Sequence, residues 1–344
     1  MGVDLGDLIP RVKVSLDSLS GRSVAVDAYN MLYQFLSIIR GPSGEPLMDQ
    51  RGRVTSHLSG LFYRSLNMTE KGLRLVYVFD GTPPALKEAE LKARARVKDE
   101  ALAKYREALD RGDMEAARRY AQMTARLRDE MVEDSKRLLS LLGIPWVQAP
   151  SEGEAQAAYM TVKGDVWAAA SQDYDALLFG APRLLRNLAV TGRRRLPKRD
   201  AFVEVEPELI ELDRVLAYLG LSREQLVDLG ILIGTDYNPG GVRGVGPRTA
   251  LKLLKDHGCL EAIAEAKPGL GLPENYREIR DMFLNPRVSE DYRVEWGSPD
   301  VEGVVSFLCR ERDFSEARVR GALEKTITGL KAHEAKRTLE SYFG

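Results

Sequence analysis

The chain has little of the residue types that build sulfur- or imidazole-based sites. Its 344 residues include two cysteines and three scattered histidines, too few for a disulfide framework or a typical zinc site. It has no apolar run of about 20 residues, the length that a membrane-spanning helix requires. The first residues, "MGVDLGDLIPRVKV", lack the long apolar stretch of a secretory signal. We therefore expect a cytoplasmic protein with no membrane partner.

An excess of charge of one sign is also missing. The 50 Lys and Arg residues nearly balance the 51 Asp and Glu residues, and the formal net charge is −1. This balance does not exclude a nucleic-acid partner, because binding to a polyanion depends on local basic patches. Hydrophobic residues make up 44% of the chain, as in globular proteins, and the length allows one large domain or two smaller ones.

Three apolar runs of strand length each end in an aspartate. They are "GRSVAVDAYN", "GLRLVYVFDGTPP" and "GDVWAAASQDYD", and the aspartates that end them are Asp27, Asp80 and Asp173. Helical patterns lie between these runs, at residues 28–40, 54–71 and 133–143. Strands that alternate with helices predict an α/β fold with a mostly parallel central sheet flanked by helices. From residue 206 onward the strand signal fades and the pattern becomes helical.

The strand-end aspartates would meet at one edge of such a sheet, where ligands bind in folds of this class. A single acid there is more often a turn former or a helix cap than a ligand, but three acids at equivalent ends favour a shared site. Asp175 follows Asp173 by two residues, so an extended segment would point both side chains the same way. Asp236 ends another apolar run, just before a glycine-rich turn.

The segment "QAPSEGEAQAAYM" adds Glu152 and Glu154. Ser151 and Glu154 fit a capping box, so capping and metal binding are equally compatible with this segment. Seven carboxylates then form the candidate set: Asp27, Asp80, Glu152, Glu154, Asp173, Asp175 and Asp236. Oxygen ligands without His or Cys favour Mg²⁺ or Mn²⁺. Two such ions would offset the repulsion among the acids and suit phosphodiester hydrolysis.

Five motifs in order carry a resemblance to a known family. They are "VAVDAYNMLYQFL", "VYVFDGTPPALK", "APSEGEAQAA", "SQDYDALLFG" and "GTDYNPGGVRGVGP". Over effectively its whole length, the chain resembles the flap endonucleases of the XPG/Rad2 structure-specific 5′ nucleases, and the archaeal ones in particular. The resemblance implies a PIN-like nuclease core with a helical arch and a C-terminal helix-hairpin-helix region. It also implies cleavage of 5′ flaps near the duplex junction, with 5′–3′ exonuclease activity, in DNA replication and repair.

The resemblance assigns roles to individual positions. It makes the seven carboxylates the ligands of two Mg²⁺ ions, for which Mn²⁺ can substitute. It makes Lys87 and Arg94 the residues that orient and polarise the scissile phosphate. Seven residues are nearly two helical turns, so this pair shares one helix face. Without the family, the adjacent acids Glu88 and Glu90 would favour an ordinary solvated face.

Further positions are implied to contact branched DNA. Tyr33 corresponds to an aromatic residue on which a terminal base pair stacks, although its helical pattern fits a core tyrosine as well. Arg40 and Thr55 correspond to residues that hold a one-nucleotide 3′ flap. Gly2 corresponds to a residue near the active site.

The segment "GGVRGVGPRTALKLL" reads as a hairpin that leads into a helix. Glycines allow close backbone approach, and a helix N-terminus offers N–H groups to a phosphate, so this module would hold duplex DNA without reading bases. Its candidate DNA contacts are Gly244, Gly246 and Arg248, and the family implies a K⁺ ion at the turn. The alternative is a loop shaped by its glycines alone.

Three charged or terminal segments remain. Residues 85–137 match the arch through which a 5′ single strand threads. The basic motif "TGRRRLPKRD", residues 191–200, predicts a hairpin tip that is either a DNA-backbone contact or a solubilising loop. The last residues fit a peptide that binds a sliding clamp (PCNA), with Lys336 in place of the usual Gln, and the alternative is a frayed C-terminus. The anchors of this peptide are Leu339, Tyr342 and Phe343.

These segments suggest a division of a monomeric chain into five parts. They are an N-terminal nuclease region (1–98), a helical arch (99–132), an internal nuclease region with the helix-hairpin-helix (133–258), a C-terminal helical region (259–329) and a clamp-binding tail (330–344).

Three rival functions stay open: a sister exonuclease or repair nuclease, an aspartate-nucleophile phosphatase, and a non-catalytic DNA-binding module recruited to the clamp. The phosphatase is disfavoured because Ala176 follows "DYD" where that chemistry has Thr or Val.

Overall fold

The computed structural model describes residues 2–41, 44–190, 192–195 and 202–343. Within these ranges, side chains are described except at residue 89 and in the segments 192–195, 202–204 and 334–343. None of the helices in these ranges combines the length and the hydrophobicity that a bilayer span requires.

The strands of the described residues are β1 (Val12–Lys13), β2 (Ser23–Asp27), β3 (Arg74–Phe79), β4 (Trp146–Gln148), β5 (Ala168–Ala170), β6 (Arg183–Arg186), β7 (Gly192–Arg195), β8 (Phe202–Val205) and β9 (Glu208–Glu211). Seven of them form one sheet in the order β1-β9-β6-β5-β2-β3-β4. Strand β2 pairs in parallel with β3 and β5, and the pairs β3–β4 and β5–β6 are also parallel, whereas β9 is antiparallel to β6 and β1. The predicted mostly parallel sheet is therefore confirmed.

Helices cover both faces of this sheet and form the C-terminal region. In the described residues they are α1 (Ala28–Ile38), α2 (Ser56–Glu70), α3 (Glu88–Asp110), α4 (Met114–Gln122), α5 (Asp129–Leu141), α6 (Gly153–Lys163), α7 (Asp175–Leu178), α8 (Leu212–Leu219), α9 (Arg223–Ile233), α10 (Pro247–His257), α11 (Leu260–Ala266), α12 (Tyr276–Leu284), α13 (Val301–Val305) and α14 (Glu316–Phe343). Short 3₁₀ turns occur at Asp17–Leu19 and Ala85–Lys87, and Ser306–Arg310 is a π-helical turn. The expectation that strand structure ends near residue 206 is wrong, because β9 lies beyond it.

The period-two pattern of the strands builds two cores. Along β3, Val76 and Val78 face a cluster that helices α6 to α12 complete, while Leu75, Tyr77 and Phe79 face a second cluster with α1, α2, α5, α13 and α14. All five side chains are buried. A sheet covered on both faces reads as a continuous apolar run, as its sequence does. The ends of the strands, where they meet loops, are the places where this sheet can carry polar side chains.

The stretch 85–137, which the resemblance matches to the arch, contains helices α3 and α4 and the first residues of α5. Helices α3 and α4 pack against each other, and small side chains on them, at Ala108, Ala117 and Ala121, are buried. Gly112, between the two helices, adopts a φ of +72°. Three of the predicted division points, after residues 98, 132 and 329, fall inside helices α3, α5 and α14.

Part of the basic motif at 191–200 lies in strand β7, which pairs antiparallel with β8, and Gly192 lies opposite Val205. Residues 191 and 196–201 lie outside the described residues, so the hairpin tip stays a prediction. Its role in DNA contact stays a prediction.

Candidate active site

Two of the predicted carboxylates lie side by side at the carboxyl ends of β2 and β3. Asp27 is the last residue of β2, and Asp80 directly follows β3. The parallel register places Asp27 opposite Val78. The Asp27 carboxylate accepts a hydrogen bond from the Asn30 N–H at 2.9 Å, so Asp27 also caps α1. The sheet topology thus brings the two acids to one place, as the sequence pattern predicted.

The start of α6 brings in two further acids, and the capping box, one of the two alternatives for this segment, is not formed. Helix α6 begins at Gly153, its N-cap residue is Glu152, and the Glu152 side chain makes no capping hydrogen bond. The Gly153 N–H instead donates to Asp80 Oδ1 at 2.6 Å. A Cβ atom on Gly153 would lie 2.7 Å from the same oxygen, so glycine is required for this approach. Because Asp80 occupies the helix end, both glutamates are free to face the strand ends.

Asp173 and Asp175 reach the same region by a different geometry from the extended one predicted. Tyr174, between them, has φ −93° and ψ 0°, and Asp175 begins α7. The Asn30 Nδ2 atom donates to Asp173 Oδ2 at 3.1 Å, which ties Asp173 to the helix that Asp27 caps. Asp175 is 5% exposed, and its Oδ1 accepts a hydrogen bond from the Val3 N–H at 2.6 Å.

The N-terminal segment also leaves no space beside Asp175. A Cβ atom on Gly2 would lie 2.4 Å from Asp175 Oδ1. The implied position of Gly2 near the active site agrees with this contact. A larger residue here would displace the carboxylate.

Asp236 joins the cluster together with both predicted basic residues. Lys87 Nζ lies 2.7 Å from Glu152 Oε2 and 3.1 Å from Asp236 Oδ2. Arg94 Nη2 lies 2.8 Å from Asp236 Oδ1. Both cations therefore face the carboxylates, and the solvated-face interpretation of this pair does not hold.

Burial first, and neighbouring carboxylates second, raise the pKa values of four of these acids, so the site disfavours their negative charge. Burial, and next the charge of neighbouring carboxylates, raise the pKa of Asp27 and of Glu154 well above the usual range. The same two causes raise the pKa of Asp80 to about 6 and that of Asp175 to about 7. These charge effects link all seven acids into one connected set.

The two basic residues, Lys87 and Arg94, have the opposite effect, because they lower the pKa of a carboxylate that they contact. Burial would raise the pKa of Asp236, but Lys87 and Arg94 outweigh it and hold that pKa below the usual range. Burial likewise opposes the charge of Lys87, yet Glu152 and Asp236 raise its pKa. The outer carboxylates, Glu152 and Asp236, thus have cationic partners. The pKa values of the inner ones, Asp27, Asp80, Glu154 and Asp175, stay raised.

The chemistry of this donor set fits hard divalent cations. All its ligands are carboxylate oxygens, which Mg²⁺ and Mn²⁺ prefer, and Glu154 Oε1 is buried without a hydrogen-bond partner. Among the described residues, however, no three acidic, histidine or cysteine side chains are already spaced to hold one ion. Lys87 and Arg94 are the cations that now contact the outer acids. Metal binding would therefore require the acids to draw together as their repulsion is neutralised.

The predicted contacts for DNA ends lie on α1 and before α2. Tyr33 is half-buried, and Lys98 Nζ lies 4.3 Å from its ring centroid. Arg40 donates from Nε to the Leu36 carbonyl and from Nη1 to the Gly44 carbonyl, both at 2.9 Å. Thr55 is 5% exposed. The base-stacking and 3′-flap roles stay predictions, and Thr55 would need a local opening to reach DNA.

The predicted helix-hairpin-helix consists of α9, a glycine-rich turn and α10. Gly244 has a φ of +80°, and the space around its missing Cβ and that of Gly246 is open. Gly246 is the N-cap residue of α10, and no side chain caps this helix. Arg248 is exposed in its first turn. Free N–H groups and an exposed cation at one helix end suit a DNA phosphate.

The clamp-binding prediction falls on the end of α14. The backbone of this helix continues to Phe343, but the side chains of Leu339, Tyr342 and Phe343 lie outside the described residues. Clamp binding stays a prediction.

Three contributors to the site were missed by the sequence interpretation. Asn30 binds both Asp27 and Asp173, and its position one turn after a strand-end aspartate could have revealed it. Gly153 binds Asp80, and Glu90 pairs with Arg94. Glu90 lies three residues after Lys87 and four before Arg94, so the helix face that this pair shares could have revealed it, whereas Gly153 carries no such signal.

Comparison with known proteins accounts for this arrangement. Family models for the XPG N-terminal domain and the XPG I-region match residues 1–101 and 143–236. Flap endonuclease 1 of Hyperthermus butylicus is 57% identical over 336 residues, which are 97% of this chain and 96% of that protein. The chain belongs to the flap endonuclease family. Another member, flap endonuclease 1 of Pyrococcus abyssi, is 53% identical over 343 residues, with 100% of this chain and 98% of that protein covered.

Solved structures confirm the fold of this flap endonuclease. Flap endonuclease-1 from Methanococcus jannaschii superposes with a TM-score of 0.76 at 44% identity and covers 96% of this chain and 99% of that one. The catalytic core of Rad2 in complex with DNA substrate gives a TM-score of 0.71 at 23% identity, over 95% of this chain and 100% of that one. At that identity the second match shows a common fold alone.

Proposed function

We propose that this flap endonuclease cuts 5′ flaps one nucleotide inside the duplex by two-metal-ion hydrolysis and leaves a 5′-phosphate and a 3′-hydroxyl. Family membership makes the chain a structure-specific flap endonuclease, a hydrolase that acts on DNA. The metal ions, the cut position and the roles of single residues are the proposal. It rests on one observation: seven acids from distant segments form a single electrostatically linked cluster at one sheet edge.

In this proposal, two Mg²⁺ or Mn²⁺ ions are the cofactor. When bound, the ions supply a water of lowered pKa and neutralise charge on the phosphate. The ligands that hold them are Asp27, Asp80, Glu152, Glu154, Asp173, Asp175 and Asp236. Buried carboxylates with raised pKa values are the groups that gain most from a nearby cation.

The chain's own cations orient the scissile phosphate. Lys87 and Arg94 contact Glu152 and Asp236 without DNA, and those acids would turn to metal ions in the loaded site. The two side chains then become available to a phosphate at the same place. Charge-assisted contacts of this kind stabilise the charge that develops during phosphoryl transfer.

Other surfaces would hold the substrate around this centre. The N-terminus of α10, with Gly244, Gly246 and Arg248, would bind duplex backbone together with a K⁺ ion. Helices α3 and α4 would form the arch over the 5′ strand, and a 5′–3′ exonuclease activity would use the same centre. A monomeric chain recruited to the sliding clamp by its C-terminal segment would serve Okazaki fragment maturation and repair.

The test compares Asp173→Ala with Asp213→Ala on a labelled 5′ flap. Asp213 is an exposed aspartate in the first turn of α8 and serves as the matched control. We expect Asp173→Ala to lose cleavage in Mg²⁺ while its flap Kd, measured without divalent metal, stays close to that of the wild type. Full activity of Asp173→Ala in Mg²⁺ would contradict the assignment.

The wild type also tests the remaining alternative. Inertness of the unaltered chain on the same flap would favour a non-catalytic DNA-binding module. Crystals soaked in Mn²⁺ should show two anomalous peaks about 4 Å apart among the seven acids. Peaks elsewhere would reject the ligand set.

A further inference from the structure

Glu90 occupies an unexpected position for an acid. It lies in the first turn of α3 and is 7% exposed, whereas Glu88, two residues earlier, is exposed. Its neighbourhood already holds seven carboxylates and must receive a polyanion, so one more inward negative charge raises the electrostatic energy of the site. The burial of Glu90 therefore calls for a specific compensating role.

The contacts of Glu90 indicate that role. Its Oε1 pairs with Nε of Arg94, one helical turn later, and the other side of the same guanidinium reaches Asp236 Oδ1 at 2.8 Å. A guanidinium is a rigid plane with donors in fixed directions, so binding at Nε sets where the two Nη groups point. The Arg94 side chain is 38% exposed. Glu90 is thus the partner that holds the Nε side of Arg94.

We propose that Glu90 is a positioning residue that aims the guanidinium of Arg94 at the scissile phosphate. This inference rests on the proposed role of Arg94 in cleavage. If a metal ion drew Asp236 away, Arg94 Nη2 would lose this acceptor, but the Glu90 contact would persist because both residues lie on α3. Arg94 then presents its free donors toward the site instead of extending into water.

The chain contains a matched pair that separates this role from ordinary helix stabilisation. Glu88 Oε1 and Lys92 Nζ are 2.6 Å apart on the same first turns of α3, with the same spacing, and their side chains are 68% and 75% exposed. Exposed pairs of this spacing contribute little to stability. The variant Glu88→Ala, which removes the Glu88–Lys92 pair, therefore measures how much an ordinary ion pair on the surface of α3 contributes to the cleavage rate and to flap Kd.

The experiment measures single-turnover cleavage of a 5′ flap at saturating enzyme and Mg²⁺, together with flap Kd. We expect Glu90→Ala to slow cleavage by about tenfold to a hundredfold, the range for losing a charge-assisted hydrogen bond. We expect Kd to change less than about twofold, because the contact acts on orientation and not on binding. Glu88→Ala should match the wild type in both quantities.

Two further variants distinguish positioning from simple charge removal. Glu90→Gln keeps an acceptor oxygen for Arg94 Nε, so it should lose less activity than Glu90→Ala. Simple charge removal predicts instead that both variants bind DNA more tightly and cut at least as fast, since each deletes a negative charge. In a double-mutant cycle, Glu90→Ala should add no further loss to Arg94→Ala, because the residue it positions is gone.

Clear outcomes overturn the proposal. If Glu90→Ala is no slower than Glu88→Ala, or if its loss is fully additive with that of Arg94→Ala, Glu90 does not act through Arg94. If thermal unfolding shows that Glu90→Ala does not fold, the cleavage rate of Glu90→Gln is compared with that of the wild type instead. A rate of Glu90→Gln no lower than that of the wild type then overturns the proposal. Failure of the proposed function is distinguishable, because the wild type would then not cut the flap at all.

Discussion

Replacing Asp175 by asparagine should stabilise the metal-free protein while it disables the active site. Asp175 is 5% exposed, and burial raises its pKa to about 7, against an ordinary value of 3.8. Each pKa unit corresponds to about 1.4 kcal/mol, so its ionisation lowers folding stability by at most about 4 kcal/mol at pH 8. Asparagine removes the charge and keeps an oxygen for the Val3 N–H, which now donates at 2.6 Å.

The sign of the pH dependence follows from the raised pKa. Between about pH 4 and pH 7 the folded chain retains a proton on Asp175 that the unfolded chain has released, so the stability of the wild type falls as pH rises through this window. Asp175→Asn should therefore be more stable than the wild type by about 1–4 kcal/mol at pH 8, and the difference should nearly vanish at pH 4. On the proposed two-metal site, Mg²⁺ should reverse the order, because an ion that binds the folded wild type would stabilise it.

The assay is guanidinium chloride unfolding with EDTA at both pH values, with Asp228→Asn as the control. Asp228 is also buried, at 2% exposed, but it accepts hydrogen bonds from Arg280 Nε at 2.6 Å and Nη2 at 3.0 Å. Its replacement should destabilise the fold by about 1–3 kcal/mol, because asparagine removes the charge that pairs with Arg280 and offers that guanidinium one acceptor oxygen in place of two. If Asp175→Asn is no more stable than the wild type at pH 8 without metal, the buried charge of Asp175 does not destabilise the folded protein, and the reasoning from its raised pKa is refuted.

Three further predictions follow from close contacts and exposed charges. Gly153→Ala should slow flap cleavage at least about tenfold with little change in Kd, since its Cβ would push against Asp80 Oδ1; an unchanged rate would show that the site tolerates the shift. Arg248→Ala should lower the salt dependence of DNA binding by about one phosphate contact, seen as a shallower slope of log Kd against log salt. Gly329→Leu should lower the thermal midpoint, because a Cβ there would lie 3.1 Å from the Glu70 carbonyl oxygen; calorimetry that shows no decrease would place α14 further from α2.

The parts of the fold that the sequence predicts are those governed by local periodicity. Strands β2 and β3 are long apolar runs, and the rule that parallel strands end at one edge brings Asp27 and Asp80 together without further information. Strand β4 has only three residues, and β9 is the short mixed run "ELIE". The local sequence does not show that β9 pairs with β1 and β6. Such short strands owe their existence to pairing partners distant in the chain.

Side-chain direction was the less predictable part of the site. Glu88 and Glu90 lie two residues apart, so helix geometry points them to opposite faces of α3, and tertiary packing decides which face meets Asp236. Tertiary structure also prevents the capping box at Ser151. The helix end there is occupied by Asp80, which directly follows β3 and accepts from the N–H of Gly153, 73 residues later in the chain.

The carboxylate cluster gathers residues from five stretches that extend from Asp27 to Asp236. A ribosome must therefore deliver more than two thirds of the polypeptide before the last of these acids exists, and long-range strand pairing is a slow step of folding. A chain released before Asp236 is added therefore carries an incomplete set, and on the proposed two-metal mechanism it would lack a ligand of the centre that cuts DNA.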